Sequence, residues 1–315
     1  MKKPLLLLLL FTIALYAKDI APDWSLTAKG GVVDAFIKEK SLYIATDAGS
    51  VEIFDLETKK RTELITLPQI KDFMGDAIDS KIYSVDTFDG AVLILSQDNG
   101  GFRRIDIYKE GKLEHIITKE DRLYIAKAKF LNAHTLLLGL LSNVIISYDI
   151  KSKKYNFEEQ ITLSKFSNYA FNADRSRAII ADESGDLHTI DTKTGKIVAT
   201  YTGLNVDNVY QVDWKNGVIA TAGQDRRVAI YDEQSAEGYY KSSDFLIYSV
   251  GLSANGALCG YASDEQNRVT VFNTGTKQDL VRLTGNKMNI SNILFINAHE
   301  IVVTCDGDTI NHYTF

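Results

Sequence analysis

The sequence predicts an all-β protein, a seven-bladed β-propeller, on three observations: a repeat close to 41 residues, short apolar strands between tight turns, and an N-terminal strand that fits the last blade. Seven turn residues serve as anchors, Gly49, Gly90, Asn143, Gly185, Arg226, Asn267 and Asp308, spaced by 41, 53, 42, 41, 41 and 41 residues. A branched aliphatic follows two residues after each, from Val51 to Ile310. Five of the seven carry Asp or Asn six residues after the anchor, as in Asp55, Asp149 and Asp232. Short β-rich runs recurring at this period are the signature of propeller blades of four strands each.

Within a repeat the strands read in order. An apolar strand A, such as Val32 to Ile37, is followed by strand B, such as Leu42 to Thr46, then by the anchored strand C and an outer strand D, such as Glu63 to Leu67. The A-to-B turns recur as Asn132-Ala133-His134 and Asn297-Ala298-His299, residue types that accept tight reversal. The acids after strand C are expected to cap the C-to-D turn. The chain ends just after the seventh strand C, leaving that blade without an outer strand. Trp24 to Ala28 resembles the other D strands and is expected to complete it, which removes an exposed sheet edge and ties down both ends. The 53-residue interval predicts an insertion around 109–122, in blade 2 or 3.

The first residues divide the chain. Lys2 and Lys3 precede an apolar run from Leu5 to Leu15, and Ala17 precedes Lys18-Asp19, the layout of a secretory signal peptide over residues 1–17. The run is short for a membrane span, which needs about 20 residues. The expected mature chain, 18–315, is one propeller domain with no membrane span, exported to the periplasm. Net charge is −6, becoming −8 once Lys2 and Lys3 leave with the leader. An acidic chain without a basic patch repels the phosphate backbone and anionic lipid, so nucleic acid is not an expected partner. The two cysteines, Cys259 and Cys305, are no disulfide framework; a single bridge between them is open, and two buried free thiols are the expected state.

No catalytic motif emerges. The five histidines, including His115, His188 and His312, stand at no metal-ligand spacing, and the sequence holds no nucleophile elbow, phosphate loop or Cys-x-x-Cys-His haem site. No catalytic, cofactor or metal residue is therefore expected, and the chain reads as a non-enzyme and a monomer that binds protein partners. Strand A lines the central channel of a propeller, and Asp34, Asp76 and Asp213 are candidate channel residues. If they faced inward together they could hold a divalent cation, giving the alternative reading of a propeller hydrolase or lactonase. Tyr169, Tyr239 and Tyr240 are candidate interface anchors.

Endings such as Val51-Glu52-Ile53-Phe54-Asp55 and Val228-Ala229-Ile230-Tyr231-Asp232 resemble WD40 repeats. The family's Trp-Asp ending is replaced by Phe-Asp, Tyr-Asp or Ile-Asp, and its Gly-His dipeptide is missing. The whole chain, with its Leu-rich leader, is similar to the NapL-like family, exported WD40-like accessory proteins encoded with periplasmic nitrate reductase. That resemblance implies a periplasmic scaffold that assists maturation or function of the nitrate reductase system through protein contacts. N-terminal sequencing of the chain exported with its leader is expected to read Lys18-Asp19-Ile20; an intact Met1 or an internal start would remove the export reading.

Overall fold

The computed structural model describes residues 17–315, so the expected leader lies outside the described residues except for Ala17. Blades 1 to 5 are four-stranded antiparallel meanders over residues 32–66, 82–117, 125–160, 166–201 and 209–242. Blade 6 covers 250–283 with four strands of its own, and blade 7 covers 290–314 with three and takes its fourth from the N-terminal segment.

Burial explains the strand sequences. Strand B of blade 3 (Thr135–Leu140, TLLLGL) has four successive buried residues, because the blades stack face to face and cover both sides of its middle strands. Its strand D (Lys154–Gln160, KYNFEEQ) is exposed except for Phe157, since nothing stacks outside it. The apolar core is accordingly divided into seven clusters, one at each interface between neighbouring blades. The Asp or Asn after strand C acts as read from the sequence. Asp55, Asp149, Asp191, Asp232 and Asn273 each accept the backbone N–H three residues on, at 2.6–2.9 Å.

The ring is closed by the N-terminal segment. Trp24–Thr27 pairs antiparallel with Thr309–Thr314 as the outer strand of blade 7. The Trp24 ring stacks on His312 at 4.4 Å, and Leu26 enters the cluster shared by blades 7 and 1. A second attachment was not expected from the sequence: Lys18–Ile20 adds a fifth, parallel strand outside Asp279–Leu283 of blade 6. Arg282 binds Asp19 at 2.6 Å, and the Thr284 N–H donates to the Ile20 carbonyl at 2.8 Å. Both cysteines are free and buried, Cys259 on strand B of blade 6 and Cys305 on strand B of blade 7.

Blade 2 corrects the sequence reading. Asp89-Gly90 joins strands A (Ile82–Phe88) and B (Ala91–Gln97), so the Gly90 anchor precedes strand B, not strand C. Both turn residues have positive φ, 46° and 73°, the geometry of a two-residue hairpin that can join any antiparallel pair. Strand C is Arg103–Lys109 and strand D is Lys112–Ile117, so the segment 109–122 contains the blade's own outer strand and is no insertion. The extra residues lie earlier, in the connector 67–81 between blades 1 and 2, where Ile70–Lys71 and Ala77–Ile78 form a small hairpin.

Loss of the closing strand should weaken the whole ring. Leu26→Ala is expected to cost about 2–3 kcal/mol in denaturant unfolding. The same change at Leu64, exposed on a D strand, should cost less than about 1 kcal/mol; equal costs would mean that the N-terminal strand does not bear on stability.

Candidate functional site

Strand A is the inner edge of every blade, so its backbone faces the channel without a partner strand. In six blades the A–B register skips at the second residue, between Val32 and Asp34, Ile82 and Ser84, Ile125 and Lys127, Phe166 and Asn168, Val209 and Gln211, and Ile290 and Asn292. The residues after the skip line a cavity of about 330 Å³ in the channel. Ser249 takes the corresponding place in blade 6, beside Gln211. All seven blades therefore present a polar side chain at one level of the channel.

These side chains satisfy the bare edges of the neighbouring blades. The Val85 N–H donates to Asp34 at 2.9 Å, Ala128 N–H to Ser84 at 3.1 Å and Val250 N–H to Gln211 at 2.9 Å. Two residues further along strand A, Phe130 N–H donates to Asp86 at 2.8 Å and Leu252 N–H to Asp213 at 2.9 Å. Lysines cap the carbonyls: Lys129 reaches Val85 O at 2.7 Å and Lys127 reaches Tyr169 O at 2.9 Å. An unpaired buried backbone group costs about 1–3 kcal/mol, so this lacing is a large structural contribution.

The channel carboxylates are also ion-paired. Asp34 meets Lys129 at 2.9 Å, Asp86 meets Arg175 at 2.8 Å and Asp213 meets Lys215 at 2.8 Å. Burial alone would raise the Asp34 carboxyl; the charges of Lys129 and Lys127 and the Val85 N–H outweigh it and hold the group below its ordinary 3.8. Asp213 is lowered in the same way, burial being outweighed by Lys215 and the Leu252 and Trp214 N–H groups. Burial and the neighbouring Lys129 push the Lys127 ammonium down to about 8.

Asp34 and Asp213 thus stand in the channel, lining a wider cavity of about 490 Å³ toward its other mouth. Asp76 does not join them. It lies on the hairpin between blades 1 and 2, where its N–H donates to Asp72. Among the described residues, no three His, Cys, Asp or Glu side chains converge as a cation site. Tyr169 is buried with its hydroxyl on Leu137 O at 2.8 Å, so it is a core residue and not the exposed anchor considered from the sequence. Tyr239 and Tyr240 lie on strand D of blade 5, Tyr239 covered by Lys277 and bonded to Thr274 O, and Tyr240 half-covered by Arg227.

The exposed apolar surface is distributed unevenly. In an antiparallel meander the D-to-A connectors and the B-to-C turns share one face of the ring, and the A-to-B and C-to-D turns share the other. Among the described residues, twelve large apolar side chains are exposed; six lie on D strands and the other six, Phe73, Met74, Tyr124, Leu163, Val206 and Met288, all lie in D-to-A connectors. The opposite face carries none of them. Phe73 and Met74 are 88% and 74% exposed at the tip of the 70–78 hairpin. Asp72 shapes that tip by accepting the N–H groups of Met74 at 2.8 Å and Asp76 at 3.0 Å, and buried Ile70 with the Lys71 N–H to Asn99 bond roots it.

No protein-family model and no curated protein matches this chain. Among the described residues no helix is long and apolar enough to cross a membrane. The charge of the two faces differs as well. The D-to-A connectors and B-to-C turns carry sixteen Asp and Glu against nine Lys and Arg, and the turns of the opposite face carry seven against eight. The D-to-A face is therefore both the apolar and the acidic one.

The periodicity of the sequence could have located the polar channel level, since in six of the seven blades it stands two residues after strand A begins. The apolar face could not be read in advance, because Phe73 and Leu163 look like any other apolar residues until their connectors are seen to share one side.

Removing Lys129 leaves Asp34 charged and unpaired in the channel, so Lys129→Met is expected to cost about 3 kcal/mol in denaturant unfolding. The Asp34 carboxyl titrates lower in the folded chain, so its stabilisation is complete above its unfolded value near 3.8 and is lost as pH falls below that. Asp34→Asn should accordingly flatten the loss of stability below pH 4; an unchanged acid limb would show that the pair contributes nothing.

Proposed function

We propose that this chain is a non-catalytic, exported scaffold that docks a protein partner on the D-to-A face of its propeller. The observation that carries the reading is the Phe73–Met74 tip, two large apolar side chains held in water by a hydrogen-bonded hairpin. Exposing them costs free energy in the isolated protein, and a preorganised tip binds without the entropic cost of ordering a loop. The acids around it favour a partner whose apolar pocket is rimmed by Lys and Arg, which would also steer encounter. Tyr124, Leu163, Val206 and Met288 on the same face would extend the contact around the ring.

The finer reading is assistance to a periplasmic nitrate reductase system, and it rests on the resemblance of the repeat endings and leader to the NapL-like accessory family. The non-catalytic reading is supported by the engagement of the channel carboxylates in ion pairs and backbone caps. The hydrolase reading loses one of its three acids, since Asp76 stands outside the channel.

The test is affinity capture from the native exported fraction, comparing the wild-type chain with F73S/M74S. The wild type is expected to retain a specific protein and the variant to lose at least about tenfold of it, the loss expected when two apolar anchors leave an interface centre. Equal recovery by the two, at equal melting temperature, would sink the docking face; recovery of a protein unrelated to nitrate reduction would sink the finer reading alone.

A further inference from the structure

At the channel level formed by the seven strand-A side chains, three donor groups have spare N–H capacity with no protein acceptor among the described residues. Lys127 Nζ donates to Asn168 Oδ1 at 2.8 Å and to Tyr169 O at 2.9 Å, which uses two of its three N–H groups. Among the described residues it forms no ion pair, whereas Lys129, Arg175 and Lys215 each have a carboxylate within 2.9 Å.

The two amides beside it are oriented by partners that can only donate. The Lys127 ammonium fixes Asn168 Oδ1 as the acceptor, and the Val250 N–H fixes Gln211 Oε1 as the acceptor. Their NH2 groups are therefore the ends left over, and neither makes a hydrogen bond among the described residues. Lys127, Asn168 and Gln211 occupy equivalent positions on the consecutive blades 3, 4 and 5 and line the same cavity of about 330 Å³.

We propose that this arc of the channel binds a small monovalent carboxylate, with one oxygen on Lys127 Nζ and the other on the NH2 groups of Asn168 and Gln211. A single charge matches Lys127, the one cationic side chain in the lining of this cavity. A dianion would meet Asp34 across the same level and Asp213 two residues further along its strand. Burial first, and then the like charge of Lys129, hold the Lys127 ammonium low against the opposing pull of Asp34, Asp213 and Asp86, so an added anion at Nζ would relieve it. The cavity opens among Tyr83, Tyr210 and Tyr248 on the D-to-A face, so a docked partner would cover the bound ion. The site stands on its own donors and does not require that partner.

Titration calorimetry of the full mature chain at pH 7, with acetate as the probe in chloride of constant ionic strength, tests this directly. Saturable binding of one acetate per chain is expected, weakened at least about tenfold in Lys127→Met, since charge-assisted hydrogen bonds contribute about 1.5–3 kcal/mol. Lys165→Met, at the surface ion pair with Glu183, should bind as the wild type does. Should Lys127→Met fail to fold, Gln211→Glu keeps the acceptor for the Val250 N–H while placing a like charge in the arc, and it should abolish acetate binding. The proposal is overturned by the absence of saturable acetate binding, by undiminished binding in the variants, or by inorganic phosphate saturating where acetate does not.

Discussion

A ring of blades leaves its innermost strands with a bare edge, and the way those edges are satisfied governs much of this protein. Each strand A lacks a partner on its channel side, so its N–H and C=O groups face a narrow lumen. Here the side chains of one blade cap the backbone of the next: Asp34 for Val85, Asp86 for Phe130, Gln211 for Val250 and Asp213 for Leu252. This lacing couples neighbouring blades at the axis. It also absorbs the acids that would otherwise make the channel a cation site.

The same constraint acts at the seam. A ring made from one chain must join its first and last strands, and here the N-terminal segment does so twice, antiparallel on blade 7 and parallel on blade 6. The parallel pair adds few hydrogen bonds, yet with the Asp19–Arg282 contact it covers an outer edge that would otherwise be open to another chain. Unlike the other blades, blade 6 thus has its outer edge shielded by a fifth strand.

With the axis and the seam occupied by structural work, the exposed apolar side chains outside the D strands gather, among the described residues, on the face of the D-to-A connectors. These connectors join blades and need only span a gap, so their composition is free to vary. The connector 67–81 is longer than the rest and carries its own hairpin, with Phe73 and Met74 at the tip. The channel mouth on this face adds the arc of Lys127, Asn168 and Gln211. A protein partner and a small anion would therefore approach the ring from one side.

The sequence by itself determined the propeller, the blade number, the closing strand at Trp24 and the turn-capping acids, because these follow from local periodicity and the chemistry of tight turns. It misplaced blade 2, because Asp89-Gly90 makes the same turn whichever two strands it joins, and the 41-residue coincidence with Gly49 hid the change of strand. Only the tertiary structure decided which polar side chains meet. Lys129 and Asp34 are 95 residues apart in the chain, and Arg175 and Asp86 are 89 apart. Their pairing depends on how blades are stacked around the axis, a long-range geometry that no local pattern carries. For the same reason Tyr169 turned out buried and Asp76 peripheral: strand type is written locally, but which side of a ring a residue faces is set by its neighbours in space.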